Sequence, residues 1–111
     1  MFKLELEYKN EILFARLKGI LDRKASYKIN NYLNPVIKKH EIKNLVYNFE
    51  KLEMVDNSGI DAILNSKYYI KCNKGVIKVC GVSNANLYLC KYLKLPVVKT
   101  EVEAYREMEA L

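Results

Sequence analysis

The sequence predicts an α/β fold: a mixed β-sheet that opens with an N-terminal hairpin, continues through β-α-β units and carries about four helices packed on it. Three observations predict this. Residues 2–8, FKLELEY, alternate apolar and charged side chains with the period of a half-buried strand. From Ala25 onward the apolar spacing changes to steps of three and four, the period of a helix with one buried face. Thereafter short Val- and Ile-rich runs alternate with helical segments, the order that gives parallel strands joined by right-handed crossovers. At 111 residues, 1–111 makes one domain, large enough for a core without disulfides or metal.

In FKLELEY, Phe2, Leu4, Leu6 and Tyr8 point one way and Lys3, Glu5 and Glu7 the other. Lys9-Asn10-Glu11 makes a tight turn, ILFARLKG (12–19) returns as the second strand of a hairpin, and Gly19 ends it. The first helix follows, with Ala25, Ile29, Tyr32, Leu33, Val36 and Ile37 on its apolar face. Pro35 lies inside that pattern; it lacks a backbone donor and crowds the preceding turn, so a kink or break is expected after Leu33. NLVYNFE (44–50) and GVIKVCGV (75–82) read as strands, with Ile60, Ile63, Leu64 and Tyr68 marking a helix at 58–71 between them. Leu87, Cys90 and Leu93 mark a third helix after Ser83, stopped by Pro96, and Val97-Val98 forms a last short strand. Thr100 and Glu103 have the spacing of a capping box, opening a final helix with a stripe of Val102, Tyr105 and Met108.

Composition narrows the function classes. No apolar run approaches the roughly 20 residues that cross a bilayer, and MFKLELEYKN lacks the apolar block of a signal peptide, so a cytoplasmic protein is expected. Cys72, Cys80 and Cys90 are too widely spaced for a zinc site and odd in number for a disulfide framework; buried thiols are the simpler reading. The net charge of +6 would suit nucleic acid or an acidic protein surface. Yet only 3 of the 19 basic residues are arginine, and the nine tyrosines scatter through apolar patterns as core-edge residues rather than a stacking platform. Nucleotide-binding glycine motifs are absent, as is the glycine frame of a nucleophile elbow around Ser58. The single histidine, His40, suits the end of the first helix. No catalytic residue, metal ligand or cofactor site is nominated.

The segment Asp56-Asn57-Ser58-Gly59 carries most of the functional information. Local chemistry makes it a helix start: Ser58-Gly59-Ile60-Asp61 fits the S-x-x-[DE] box with Ser58 as N-cap, and Asn57 or Asp56 are alternative caps.

Two segments together shift that reading. Leu17-Lys18-Gly19-Ile20-Leu21-Asp22 follows the second strand, and Asp56-Asn57-Ser58-Gly59-Ile60 follows the third. The pair resembles the STAS domain family, the sulfate transporter and anti-sigma factor antagonist domain, which carries G-x-L-D and D-S-[ST]-G-[LI] at these places. The similarity extends over nearly the whole chain, through the strand at Gly75 to Val82 and the helix from Ser83 to Leu95. The resemblance implies a STAS-type domain that acts by binding, without catalysis or cofactor, as a monomer or weak dimer. Its small free-standing members bind an anti-sigma factor that is also a serine kinase, and phosphorylation at the head of the helix ends the binding.

On that resemblance Asp22, Asp56, Asn57, Ser58 and Gly59 form the partner-facing surface. Asp22 reads equally as a turn-stabilising residue, and Gly59 serves close backbone approach or helix-start geometry rather than chemistry. The family's phospho-acceptor directly follows the aspartate, and here that position is Asn57. Three readings stand: a permanently unphosphorylated antagonist, a switch moved to Ser58, or a STAS adaptor in another assembly such as a lipid-transport or signalling complex. A basic nucleic-acid-binding domain is the remaining alternative.

Overall fold

The computed structural model describes residues 1–109. Strands β1 (Phe2–Lys9), β2 (Ile12–Leu21), β3 (Asn44–Val55), β4 (Val76–Cys80) and β5 (Val97–Val98) form one sheet in the order β1-β2-β3-β4-β5. β1 runs antiparallel to β2, and every later pair is parallel. The hairpin closes through Asn10 and Glu11, both at positive φ (55° and 63°), the handedness that matches the twist of its strands.

The helices lie in two layers. α1 (Arg23–Lys28), a π-helical segment (Ile29–Leu33), α2 (Asn34–Lys39), α3 (Asn57–Cys72) and α4 (Asn84–Tyr92) cover one face of the sheet. The large core lies there, with Leu13, Ala15 and Leu17 of β2 and Leu45, Tyr47 and Phe49 of β3 among its members. The alternate residues Ile12, Phe14 and Val46 face the other way and meet Ala104 and Met108 of α5 (Glu101–Glu109).

Four sequence expectations change. Gly19 does not end β2: at φ 98° it sits in a register shift, and the strand runs on to Leu21. A Cβ at Gly19 would collide with the Met1 carbonyl, so the missing side chain lets the N-terminus cross there. Pro35 does not end the helix; the irregularity expected after Leu33 takes the form of a π-helical segment that ends there. The Asn34 N–H bonds back to the Ile29 carbonyl, five residues away, and this widened turn makes room for the proline ring while the backbone stays helical. The apolar faces rotate relative to those predicted: Tyr32, Leu64, Tyr68, Leu87 and Val102 are exposed, while the small residues Gly59, Ala62 and Ser66 turn α3 inward. Of the three thiols only Cys80 and Cys90 are buried; Cys72 is exposed.

A polar chain crosses the large core. Tyr47 Oη donates to Ser66 Oγ at 2.6 Å, Ser66 Oγ donates to Asn34 Oδ1 at 2.5 Å, and Asn34 Nδ2 donates to the Ala62 carbonyl at 3.3 Å. Every member is satisfied, so its burial is tolerated and the helical layer is held in one register. Burial pushes the Tyr47 hydroxyl well above its ordinary range.

Candidate functional site

β2 and β3 outrun the rest of the sheet. β3 pairs with β4 only from Asn44 to Asn48, but with β2 as far as Leu21 and Val55, so the two strands project together. Each then turns directly into a helix through an aspartate. Asp22 (φ −96°, ψ −170°) caps α1, its Oδ1 accepting from the Ala25 N–H at 2.9 Å. Asp56 (φ −97°, ψ −176°) caps α3, its Oδ1 accepting from the Gly59 N–H at 2.9 Å. The two caps are near copies of one geometry, set side by side by the last strand pair.

One hydrogen bond seams them: the Asp56 N–H donates to the Leu21 carbonyl at 3.1 Å. It holds Asp56 extended, so α3 starts at Asn57 and Asp56 becomes the N-cap. The expected Ser58–Asp61 capping box therefore does not form; Ser58 is the second helical residue and Asp61 faces solvent. Gly59 makes the close approach possible. It is buried, and a Cβ there would lie 2.7 Å from the Leu21 carbonyl oxygen and 2.8 Å from both Leu21 Cγ and Val55 Cγ1.

The predicted site residues thus come together at one end of the molecule. Asp22, Asp56 and Asn57 are exposed, Ser58 is half-buried and Gly59 is the buried hinge between the helix head and the strand end. Among the described residues no side-chain hydrogen bond engages Asn57 or Ser58 within the chain. The first N–H groups of α3 lack intrahelical partners and point outward with the positive end of its dipole. Sequence reasoning missed three neighbours. Arg23, Lys24 and Tyr27 line, with Asp22 and Asp56, an open groove of about 580 Å³ at the head of α1. The available signal was Asp22 itself: once it is a cap, residues 23, 24 and 27 fall on the first two turns beside it.

The end can therefore present two carboxylates, free helix-head donors and a tyrosine ring to a partner. Among the described residues no three His, Cys, Asp or Glu side chains gather to hold a metal, and no helix is long and apolar enough to cross a membrane.

The family model of the STAS domain matches residues 3–99, which include both capped helix heads. The chain belongs to the STAS domain family. Among curated proteins, this STAS domain is 26% identical over 113 residues to the anti-sigma F factor antagonist of Paenibacillus polymyxa, covering 98% of this chain and 97% of that protein. Its fold is that of the anti-sigma factor antagonist SpoIIAA in its unphosphorylated form, at a TM-score of 0.83 and 23% identity over the whole of both chains. Phosphorylated Bacillus SpoIIAA superposes with a TM-score of 0.79 at 24% identity, covering 96% of this STAS domain and 98% of that chain.

Proposed function

We propose that this STAS domain is an anti-sigma factor antagonist-like regulator that works in the cytoplasm by binding, not by catalysis. Its partner is an anti-sigma factor of the serine-kinase kind, and the contact surface centres on Asp22, Asp56, Asn57, Ser58 and Gly59. The observation that carries this reading is the twin arrangement of capped helix heads, fixed to each other by the Asp56–Leu21 bond and the Gly59 approach. A surface pinned this way loses little freedom on binding, which favours protein recognition.

Asn57 decides how the contact is regulated. A phosphoryl group there would add about −1.5 to −2 charges beside two carboxylates. The asparagine has no hydroxyl to accept one, so binding at this end is not switched off at residue 57. Incubation with the anti-sigma factor and ATP, followed by intact mass and peptide mapping, tests both parts. The expected result is a tight complex with no added phosphate. A phosphate on Ser58 would replace the unswitched reading, and no complex at all would remove the antagonist reading. The Asn57→Ser variant should gain a phosphate in the same mixture; a variant that binds and stays unmodified would show that no latent switch remains.

A further inference from the structure

The charge of this protein is sorted by face. Helices α1 to α4 carry eight Lys and Arg but one carboxylate, Asp61. All four ion pairs among the described residues lie on the other side of the sheet: Arg16 with Glu5, Glu7 and Glu101, and Lys78 with Glu107. None of the eight helical cations pairs with an acid among the described residues. On the same face Tyr27, Tyr32, Tyr68, Tyr88 and Tyr92 are each at least 60% exposed, with Leu64 and Leu87 exposed beside them. These five tyrosines therefore do not act as core-edge residues, whereas Tyr69 and Tyr105 do pack against the edges of the two cores.

The face is continuous. Asn65 Nδ2 of α3 donates to Asn30 Oδ1 of the π-helical segment at 3.2 Å, and Lys67 Nζ donates to the Leu93 carbonyl at the end of α4 at 2.8 Å. Its edge is the groove at Asp22 and Asp56, where Tyr27, Arg23 and Lys24 belong to both.

We propose that the outer face of α1 to α4 is a second docking surface, fitted to an acidic protein surface and engaged by the same partner that binds the Asp22–Asp56 end. The inference rests on the partner reading above. Tyrosines on packed helices supply large contact area at low entropic cost, and unpaired lysines around them steer an acidic partner during approach. A nucleic-acid strand fits less well: seven of the eight cations are lysines, and Arg23 alone offers a planar fork to phosphate. A strand leaving the face toward the groove also meets the carboxylates of Asp22 and Asp56. An acidic protein surface with a basic residue at its border complements both regions.

Stopped-flow association with the anti-sigma factor at low and high salt tests this. The paired variant Lys71→Glu with Lys91→Glu should slow association about tenfold at low salt and flatten the salt dependence. Tyr68→Ser with Tyr88→Ser should leave association unchanged and speed dissociation about tenfold. Both variants behaving like the wild type would overturn the second surface while leaving the antagonist reading intact. If the wild type binds no anti-sigma factor, both readings fall. The face is then assigned by its own probes, a labelled single strand of about 20 nucleotides and vesicles containing phosphatidylglycerol at about 50 mM salt. Binding of either, lost in the lysine variant, assigns it to that occupant, and binding of neither leaves it a solvated surface.

Discussion

α3 and α5 sit on opposite faces of the same sheet and are held by different physics. α3 is attached by closeness: Gly59, Ala62 and Ser66 face inward, Ile63 and Ile70 fill the core, and its first turn lies against the Leu21 backbone. α5 buries only Ala104 and Met108 and relies on charge. The Arg16 guanidinium donates to Glu101 through Nε and Nη2, both at 2.8 Å, and Asn48 Nδ2 donates to the same carboxylate at 2.8 Å. Thr100 Oγ1 caps the helix, accepting from the Glu103 N–H at 3.1 Å, while the Glu103 side chain reaches back to the Lys99 N–H at 3.2 Å. The helix that carries the candidate site is thus fastened mainly by packing, with a carboxylate at its Asp56 cap, while the helix behind the sheet is fastened mainly through charge.

The largest effect should come from filling the close approach. In Gly59→Val the new side chain meets backbone at Leu21 and side chain at Val55, neither of which is a flexible tip. Overpacking of this kind costs about 1–3 kcal/mol or more, and a β-branched residue near the helix start adds to it. Urea denaturation should show that loss, together with weakened partner binding as the Asp56 cap is pushed off Leu21. A variant as stable as the wild type would mean that α3 can slide outward, and the fixed geometry at the two helix heads would lose its basis.

A smaller effect is expected on the other face. Arg16→Leu removes the partner of Glu101, whose side chain is only 23% exposed, and leaves Asn48 as its remaining side-chain donor. Stranding a part-buried carboxylate costs about 1–3 kcal/mol. The loss should be confined to α5: amide exchange should speed at Ala104 and Met108 and stay unchanged at Ile63 and Ile70. Equal acceleration in both helices would erase the distinction between the two modes of attachment.

These two attachments also mark what the sequence disclosed. The order of strands and helices was legible because it depends on local period, and FKLELEY or GVIKVCGV read the same in isolation as in the sheet. The choice of cap for α3 among Ser58, Asn57 and Asp56 was not legible. Asp56 wins over Ser58 through a hydrogen bond to Leu21, 35 positions earlier, and no local pattern contains that bond. The phase of α3 was misread for a related reason. Counting large apolar residues selected Leu64 and Tyr68, but small residues set how closely the helix approaches, and Gly59, Ala62 and Ser66 rotate both outward. The exposed tyrosines follow from that rotation. Asp22 and Asp56 could be paired beforehand only through the family resemblance, since nothing in their spacing states that β2 and β3 end side by side. Arg16 and Glu101, 85 positions apart, gave no signal before the fold joined them.

The smallest effect separates the two faces by pH. Hydrogen bonding from Arg16, followed by that from Asn48, holds the Glu101 carboxyl below its usual range against the opposing effect of burial. A carboxylate with a depressed folded-state pKa contributes stability that is fully present above its unfolded value, about 4.3, and is lost as pH falls through the folded value. Acidification below about pH 4 should therefore loosen α5 before α3, which is held along its length by the uncharged packing of Gly59 against Leu21 and Val55 and by buried Ile63 and Ile70. Methyl NMR reads this directly: Ala104 and Met108 should shift with falling pH before Ile63 and Ile70 do. In Arg16→Leu the depressing partner is gone, so the Glu101 titration should move up toward its unfolded value, and the acid-dependent part of the loosening should shrink because α5 is already loosened at neutral pH. If Ala104 and Ile63 respond together in both proteins, the acid response belongs to global unfolding, and the charge-held attachment of α5 has no separate existence.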